Sequence, residues 1–368
     1  MKNKKKDIIN ILIIVLFVLL YVVLTTKFFS LTYGSTTDWD CQHWNIPDYF
    51  RKLFYSSHNV LNDFAANLGD GQNIYYLSYY GYLSPIVLLS FLLPFIPMKL
   101  YIEVMSILGL IVSGCLFYVW IRKKYNSKLS LLISLVFISA SPMLFHSHRH
   151  IMFISYMPFL LLCFNEIDKN FELKRTTINP KIILYMFLII MSNYFFSVSA
   201  LFAISIYELY KISNIYSKKN IQNVKKEIIN YVICGIIAVG MSSILILPTL
   251  AVILNGRASS NVNISLISLL LPNFKIQKVF YGAYSSGISY FTFLVAILNL
   301  KNKEYRNLSI ILIVSLLFPL VCFLLNGTMY IDNKVFIPRG NQLNKSGQPM
   351  KPVLVNTPRY SFNIKETN

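Results

Sequence analysis

Two carboxylates stand two residues apart in the segment Thr36-Thr37-Asp38-Trp39-Asp40-Cys41-Gln42-His43-Trp44, just after a long apolar run. A carboxylate at a water–lipid boundary can take the proton of a hydroxyl as a general base. A second one beside it can hold that hydroxyl or a divalent cation such as Mg or Mn. Asp38 and Asp40 are therefore candidate catalytic residues, with Asp40 also a candidate metal ligand. The Asp-x-Asp spacing is common, and a solvated loop start explains it equally well.

Further polar groups follow at intervals. Asp63 and the run Asn67-Leu68-Gly69-Asp70-Gly71-Gln72-Asn73 precede Tyr75, Tyr76, Tyr79, Tyr80 and Tyr82. Tyrosines at this level are ordinary headgroup anchors, or a stacking platform for a sugar, with Gln42, Asp70, Asn73 and Tyr80 lining the substrate loop. His146, His148, Arg149 and His150 crowd what reads as a tight turn between two apolar runs. They suit a metal or a lipid phosphate gripped by the Arg149 fork, and a plain solvated turn fits as well. Asn193-Tyr194 interrupts another apolar run, as a functional polar pair or as a hairpin cap. Arg257 follows Asn255-Gly256, to bind phosphate or to snorkel. Glu103 and Glu208 fall within or near apolar runs, and Glu208, close to the inner end of its run, needs no special role. The five cysteines, Cys41, Cys115, Cys163, Cys234 and Cys322, are scattered without metal-ligand spacing and read as small hydrophobes.

The elements that position these groups read as membrane helices. The 368 residues are 55% hydrophobic and only 13% charged, with a mean hydropathy of +0.55. A soluble chain carries about 25% charged residues, so lipid is the expected solvent. The net charge of +19 does not indicate nucleic acid, because Lys and Arg sit in short clusters between apolar runs. The basic N-terminus with the run Ile8–Thr26 reads as an uncleaved first helix, since no small-residue cleavage site follows.

Spans are expected at about 100–120, 129–145, 151–164, two short helices within 182–210, 228–250, 288–300 and 308–325. Leu83–Ile96, short and holding Pro85 and Pro94, reads as an interfacial or re-entrant helix. The expected fold is an all-α polytopic bundle of about nine transmembrane helices. Its first extracytoplasmic loop is large (27–99), a second spans 249–287, and the N-terminus is cytoplasmic. The segments assigned inside (1–7, 121–128, 165–181, 211–227 and 301–306) hold 20 Lys and Arg in 55 residues, against 8 in 117 for those assigned outside. Making Leu83–Ile96 a full span would invert every later loop and put the basic clusters outside, so the count also decides that segment. Residues 339–368 are polar, with Gly340, Gly347, Pro349, Pro352 and Pro358, and read as an unstructured tail. No inverted repeat of the transporter kind is visible.

The ordered set of motifs resembles the YfhO family of bacterial membrane proteins, within the GT-C class of glycosyltransferases. Asp38-x-Asp40-x-Gln42 comes first, then Leu68-Gly69-Asp70-Gly71-Gln72-Asn73 and Tyr80-Gly81-Tyr82-Leu83-Ser84-Pro85. Arg149-His150 precedes Met157-Pro158-Phe159-Leu160. Asn193-Tyr194-Phe195-Phe196, Leu245-Ile246-Leu247-Pro248-Thr249-Leu250 before Arg257, and Leu325-Asn326-Gly327-Thr328-Met329-Tyr330 complete the set. The resemblance covers about residues 8–338.

This resemblance implies a GT-C-like transmembrane domain over 1–338 and a polyprenyl-phosphate-linked sugar as donor. The acceptor is an extracytoplasmic envelope glycan such as a teichoic acid. It implies Asp38 as catalytic base, Asp40 as its partner or metal ligand, and Arg149, His150 and Arg257 as contacts to the donor phosphate. Family members are expected to continue into further spans, so the chain reads as a truncated copy. Two rival readings are a carrier or flippase of lipid-linked glycans, which needs ionisable groups deep within spans, and an inactive copy acting as a structural membrane protein.

Overall fold

The computed structural model describes residues 2–28, 33–34, 39–68, 71–149, 151–175, 177–216, 221–254 and 290–318, with residues 267, 270, 271 and 320. The architecture is all-α. Helices α1 (Lys2–Val23), α2 (Asn45–Ser57), α3 (Pro85–Ser90), α4 (Met98–Arg122), α5 (Ser127–Ser139), α6 (Ser141–Arg149) and α7 (Ile151–Glu172) are followed by α8 (Pro180–Ser192), α9 (Tyr194–Tyr216), α10 (Ile221–Met241) and α11 (Ser243–Val252). Two more, α12 (Tyr290–Leu298) and α13 (Arg306–Leu317), close the described chain. A two-stranded antiparallel hairpin, Phe64–Ala65 with Gln72–Asn73, is the one sheet among the described residues.

Among the described residues, three helices are long and apolar enough to cross a membrane: Lys4–Lys27, Met98–Arg122 and Tyr194–Ser213. Two bent pairs raise the number to five. One joins Ser127–Ser139 to Pro142–His148 at 51°, and the other joins Val224–Met241 to Ser243–Val252 at 69°. The chain is thus an all-α membrane protein. The described residues thus offer three to five spans against the nine or so expected, and α8, which is apolar, is only 13 residues long.

Local chemistry sets the helix boundaries. Asn126 caps α5 by accepting the Leu129 N–H at 3.0 Å. Asn179 caps α8 through the Lys181 N–H at 2.9 Å, with Pro180 at the first helical position. Ser84 and Pro85 do the same for α3. An N-cap acceptor satisfies one of the N–H groups that the first turn leaves open. The segment 83–96 forms only the six-residue α3 and turns, which agrees with its reading as too short to span. Residues 146–149 differ from expectation. They belong to α6, not to a tight turn, and the chain bends at Ala140 instead, where the backbone is extended.

Helices α4 and α7 pack against each other in the middle of the bundle, α4 also meeting α1 and α5 and α7 also meeting α8 and α9. Gly109 of α4 lies against Ile154 of α7, and Gly114 of α4 against Ile138 of α5 and Ile14 of α1, so closely that a Cβ at either glycine would collide. Small residues permit this close approach, which packs membrane helices. Around it Val18, Leu110, Ile154, Met186, Ile204 and Ala238 form a continuous buried core drawn from six helices.

Hydrogen bonds and ion pairs show which segments share an end. Arg122 pairs with Asp7 at 2.8 Å, Asn10 bonds Ser127 Oγ at 2.7 Å, and Asn307 bonds Ser213 Oγ at 3.1 Å. Asp168, 1% exposed, accepts from the Trp120 indole and the Tyr207 phenol, each at 2.7 Å, and pairs with Lys211 and Lys124. The basic segments around 7, 122–128, 168, 211 and 307 therefore meet at one end of the bundle. The other end carries the segment 39–97.

Candidate functional site

The first candidate residues sit on a single turn of π-helix, Trp39–His43. Trp39 anchors it: the indole is fully buried among Met98, Tyr101, Ile102, Ile151 and Met152. Burying an aromatic ring of this size fixes the turn against the bundle. The next side chain, Asp40, meets Lys99 at the start of α4. Lys99 Nζ lies 3.1 Å from Asp40 Oδ1, with 49% and 39% of the two side chains exposed. The Trp44 indole N–H donates to the same oxygen at 3.3 Å, and the Asn45 amide donates to the Asp40 carbonyl. Glu103, one helical turn beyond Lys99, is within electrostatic reach of both Lys99 and Asp40.

Gln42 points to a different neighbour. Its Oε1 accepts the Tyr80 phenol proton at 2.6 Å. The buried His43 ring lies between Trp39 and Tyr80, with centroids 6.2 and 5.7 Å away. Two candidate substrate-loop residues, Gln42 and Tyr80, are therefore joined directly.

The rest of the segment folds into a cap over this end of the bundle. On α2, Arg51 is buried, donates to the carbonyls of Ile96 at 2.8 Å and Leu93 at 3.3 Å, and pairs with Asp48 at 3.1 Å. It latches α2 to the chain just before α4. Asn73, on the hairpin, accepts the Tyr75 N–H at 2.9 Å and starts the 3-10 helix Ile74–Tyr80. Tyr82 donates to the carbonyls of Asn62 at 2.8 Å and Val60 at 3.1 Å. Burial raises the phenols of Tyr82 and Tyr75 above the usual range, with the Asp63 carboxylate adding to it at Tyr75. Both stay protonated inside the cap, Tyr82 as a donor. Tyr75 and Tyr82 are thus core residues, not part of a sugar platform, and Tyr76, Tyr79 and Tyr80 are half-buried.

Two bonds fasten the cap to the bundle. The buried Asn193, in the break between α8 and α9, accepts the N–H groups of Phe195 at 2.8 Å and Phe196 at 3.0 Å, while its amide donates to the Tyr79 carbonyl at 2.6 Å. Thr249 of α11 donates to Ser78 Oγ at 3.0 Å. The cavity beneath the cap, beside Tyr80, Ser84, Ile102 and Ser192, measures only about 10 Å³, too little for more than one water. Asp40, its side chain 39% exposed, lies outside this cavity at the surface.

Arg149 ends α6, and its side chain lies outside the described residues, as do Asp38, Asp70, His150 and Arg257 entirely. The neighbourhood of Arg149 is described. The Tyr33 phenol donates to the Ser147 carbonyl at 3.0 Å, and the His148 ring lies 4.5 Å from that of Tyr33, which packs edge-on against Trp39. Ile151 and Met152, just past His150, share the Trp39 cluster. The end of α6 is thereby brought to the turn that carries Asp40, while Asn73 caps the 3-10 helix through its Oδ1.

Among the described residues no group of three or more His, Cys, Asp or Glu comes together. With the Lys99 ammonium on Asp40, these residues alone do not make a divalent-cation site. Lys99 was legible only as one charge in a long polar segment. Its pairing with Asp40 crosses 59 positions, and the one local signal was Glu103 four residues later on the same helix face.

No curated protein and no solved structure matches this chain. A family model described as bacterial membrane protein YfhO matches residues 8–331, which takes in the bundle, the cap and every candidate site residue. The chain belongs to the YfhO family of bacterial membrane proteins.

Proposed function

We propose that this protein is a GT-C-type membrane glycosyltransferase that moves a sugar from a polyprenyl-phosphate carrier to an envelope glycan such as a teichoic acid, outside the cytoplasm. The observation that carries the reading is the exposed Asp40–Lys99 pair, on a turn held rigid by buried Trp39 and brought beside the end of α6. An acid next to a cation at an open membrane-end surface suits an acceptor hydroxyl and a lipid phosphate. The Lys and Arg count puts the opposite, basic end in the cytoplasm, where ATP is; the cap end then faces a compartment whose activated sugars are lipid-linked.

In this mechanism Asp38 accepts the proton of the acceptor hydroxyl. The oxygen attacks the anomeric carbon as the bond to the lipid phosphate breaks, and the electron pair leaves with the phosphate, inverting the anomeric centre. Asp40, already bound to Lys99 and the Trp44 indole, orients the acceptor. Arg149, His150, Arg257 and Lys99 offset the charge on the leaving phosphate. A divalent cation, if required, needs ligands beyond the described ones, and no step depends on it.

The test is glycan analysis of envelope polymers from cells with the protein, without it, and with Asp38→Asn. The modification is expected to disappear in both of the latter while the variant protein level is unchanged. Normal modification by Asp38→Asn would sink the reading.

One observation favours a transport reading. Glu208, 5% exposed, lies in the last turns of the candidate span Tyr194–Ser213, near the basic end, and a buried carboxyl within a span is a functional candidate. Movement of a lipid-linked glycan in reconstituted vesicles without sugar transfer, lost in Glu208→Gln, would support that reading over the enzyme.

A further inference from the structure

At the basic end, far from the cap, α1, the end of α4 and the start of α5 line an open groove of about 610 Å³ with Lys6, Ile9, Asn10, Arg122, Asn126, Ser127 and Lys128. Its frame is built rather than loose. Buried Asn10 donates to the Tyr118 phenol at 2.9 Å and to Ser127 Oγ and carbonyl at 2.7 and 3.0 Å. Tyr118 donates to Asp7 Oδ1 at 2.6 Å, and the Arg122 Nε–H donates to the same oxygen at 2.8 Å. This chain of bonds ties three helices together and holds Arg122 at the groove wall. Three cationic side chains from three elements converge on it, with Asp7 bound to Arg122 alongside.

The groove is not uniformly polar. Ile9 forms part of its wall, and from there Ile13, Leu16 and Leu20 continue along α1 at helical spacing, all exposed. A cationic recess that opens onto an apolar stripe matches a molecule with an anionic head and a hydrocarbon tail. We propose that this groove is a binding site for an anionic phospholipid, with the phosphodiester head between Lys6, Arg122 and Lys128 and an acyl chain along Ile9, Ile13, Leu16 and Leu20. Basic pockets between membrane helices select such headgroups, and the Asn126 amide and Ser127 hydroxyl supply neutral hydrogen-bonding groups for the glycerol or phosphate oxygens.

The test uses the full chain in nanodiscs of phosphatidylcholine, with retention of added phosphatidylglycerol read by native mass spectrometry. Lys6→Gln with Lys128→Gln should weaken phosphatidylglycerol binding about tenfold or more, from the loss of two charges at the headgroup. A control pair, Lys225→Gln with Lys226→Gln, removes the same charge from exposed positions on α10 and should leave binding within twofold. An equal fall in both pairs would overturn the proposal, since bulk attraction would then explain it. So would unchanged binding in the first pair. Glycerol phosphate, offered as a free headgroup, should compete only weakly. Competition at concentrations similar to the lipid would reassign the groove to a soluble phosphate and overturn the role of the α1 stripe. Arg122 is left intact throughout because Asp7 depends on it.

Discussion

Lys99 Nζ and Asp40 Oδ1 lie 3.1 Å apart, so the first turn of α4 and the π-helical turn before α2 present one charged pair on the surface of the cap. Both side chains remain partly open to solvent. Such a pair adds little to stability, about 0–1 kcal/mol; in the proposed function its role is to meet a ligand.

Replacing the cation separates those two roles. Lys99→Gln is expected to leave the unfolding temperature within a few degrees of the parent. It should lower sugar transfer about 10–100-fold, the order expected when one charged contact to a developing anion is lost. Unchanged transfer in a well-folded variant would remove Lys99 from the site.

Sidedness is testable through a native thiol. Cys41, between Asp40 and Gln42, is exposed, whereas Cys163 and Cys234 are buried and Cys115 is half-buried. In a Cys322→Ser background, a membrane-impermeant maleimide added to intact cells should label the protein, and Cys41→Ser should abolish the signal. Labelling only after the membrane is opened would place this turn in the cytosol and end the proposed extracytoplasmic chemistry.

The joint between cap and bundle should be costly to remove. Asn193 satisfies two N–H groups of α9 and the Tyr79 carbonyl of the cap while buried. Asn193→Ala is expected to destabilise the protein by about 1–3 kcal/mol and to expose the segment 74–82 to protease before the helices unfold. A variant with parental stability and protease resistance would show that the joint is held by other contacts.

Close helix packing makes a separate prediction. Gly109→Val inserts a branched side chain where Ile154 already fills the space, and is expected to cost about 1–3 kcal/mol. Gly235→Ala, at a helical glycine with open space around it, should be neutral or slightly stabilising. Thermal unfolding in detergent would rank the two, and equal midpoints would contradict the α4–α7 contact.

At the opposite end, Asp168 is buried with four partners. Asp168→Asn removes the charge that Lys211 and Lys124 share, and breaking a buried pair of this kind costs about 3–5 kcal/mol. Loss of folded protein in membranes, partly recovered by also making Lys211→Met, is the expected outcome. An unaffected single variant would mean that the cluster is dispensable.

Much of this organisation follows from residue order alone. Long apolar runs in a chain with 13% charged residues leave lipid as the only workable solvent, and in lipid a backbone must satisfy itself as helices. The clusters of Lys and Arg marked which segments share an end, and the pairs Asp7–Arg122, Asp168–Lys211 and Asn307–Ser213 bring those segments together. The break at Asn193 was readable too, because an Asn in an apolar run disturbs the local pattern. Partnerships were not readable. Lys99 with Asp40, Tyr80 with Gln42 and Asn193 with the Tyr79 carbonyl join positions 38 to 114 residues apart, and nothing in local periodicity encodes a distance in space. The same limit explains the tyrosines. Tyr75 and Tyr82 look like Tyr80 in the sequence, yet they turn inward, because a 3-10 helix and a following turn set which phenols meet the core. Composition and charge order act through solvent and so are written along the chain; the pairing of Asp40 with Lys99 depends on how helices pack, and only the folded molecule decides it.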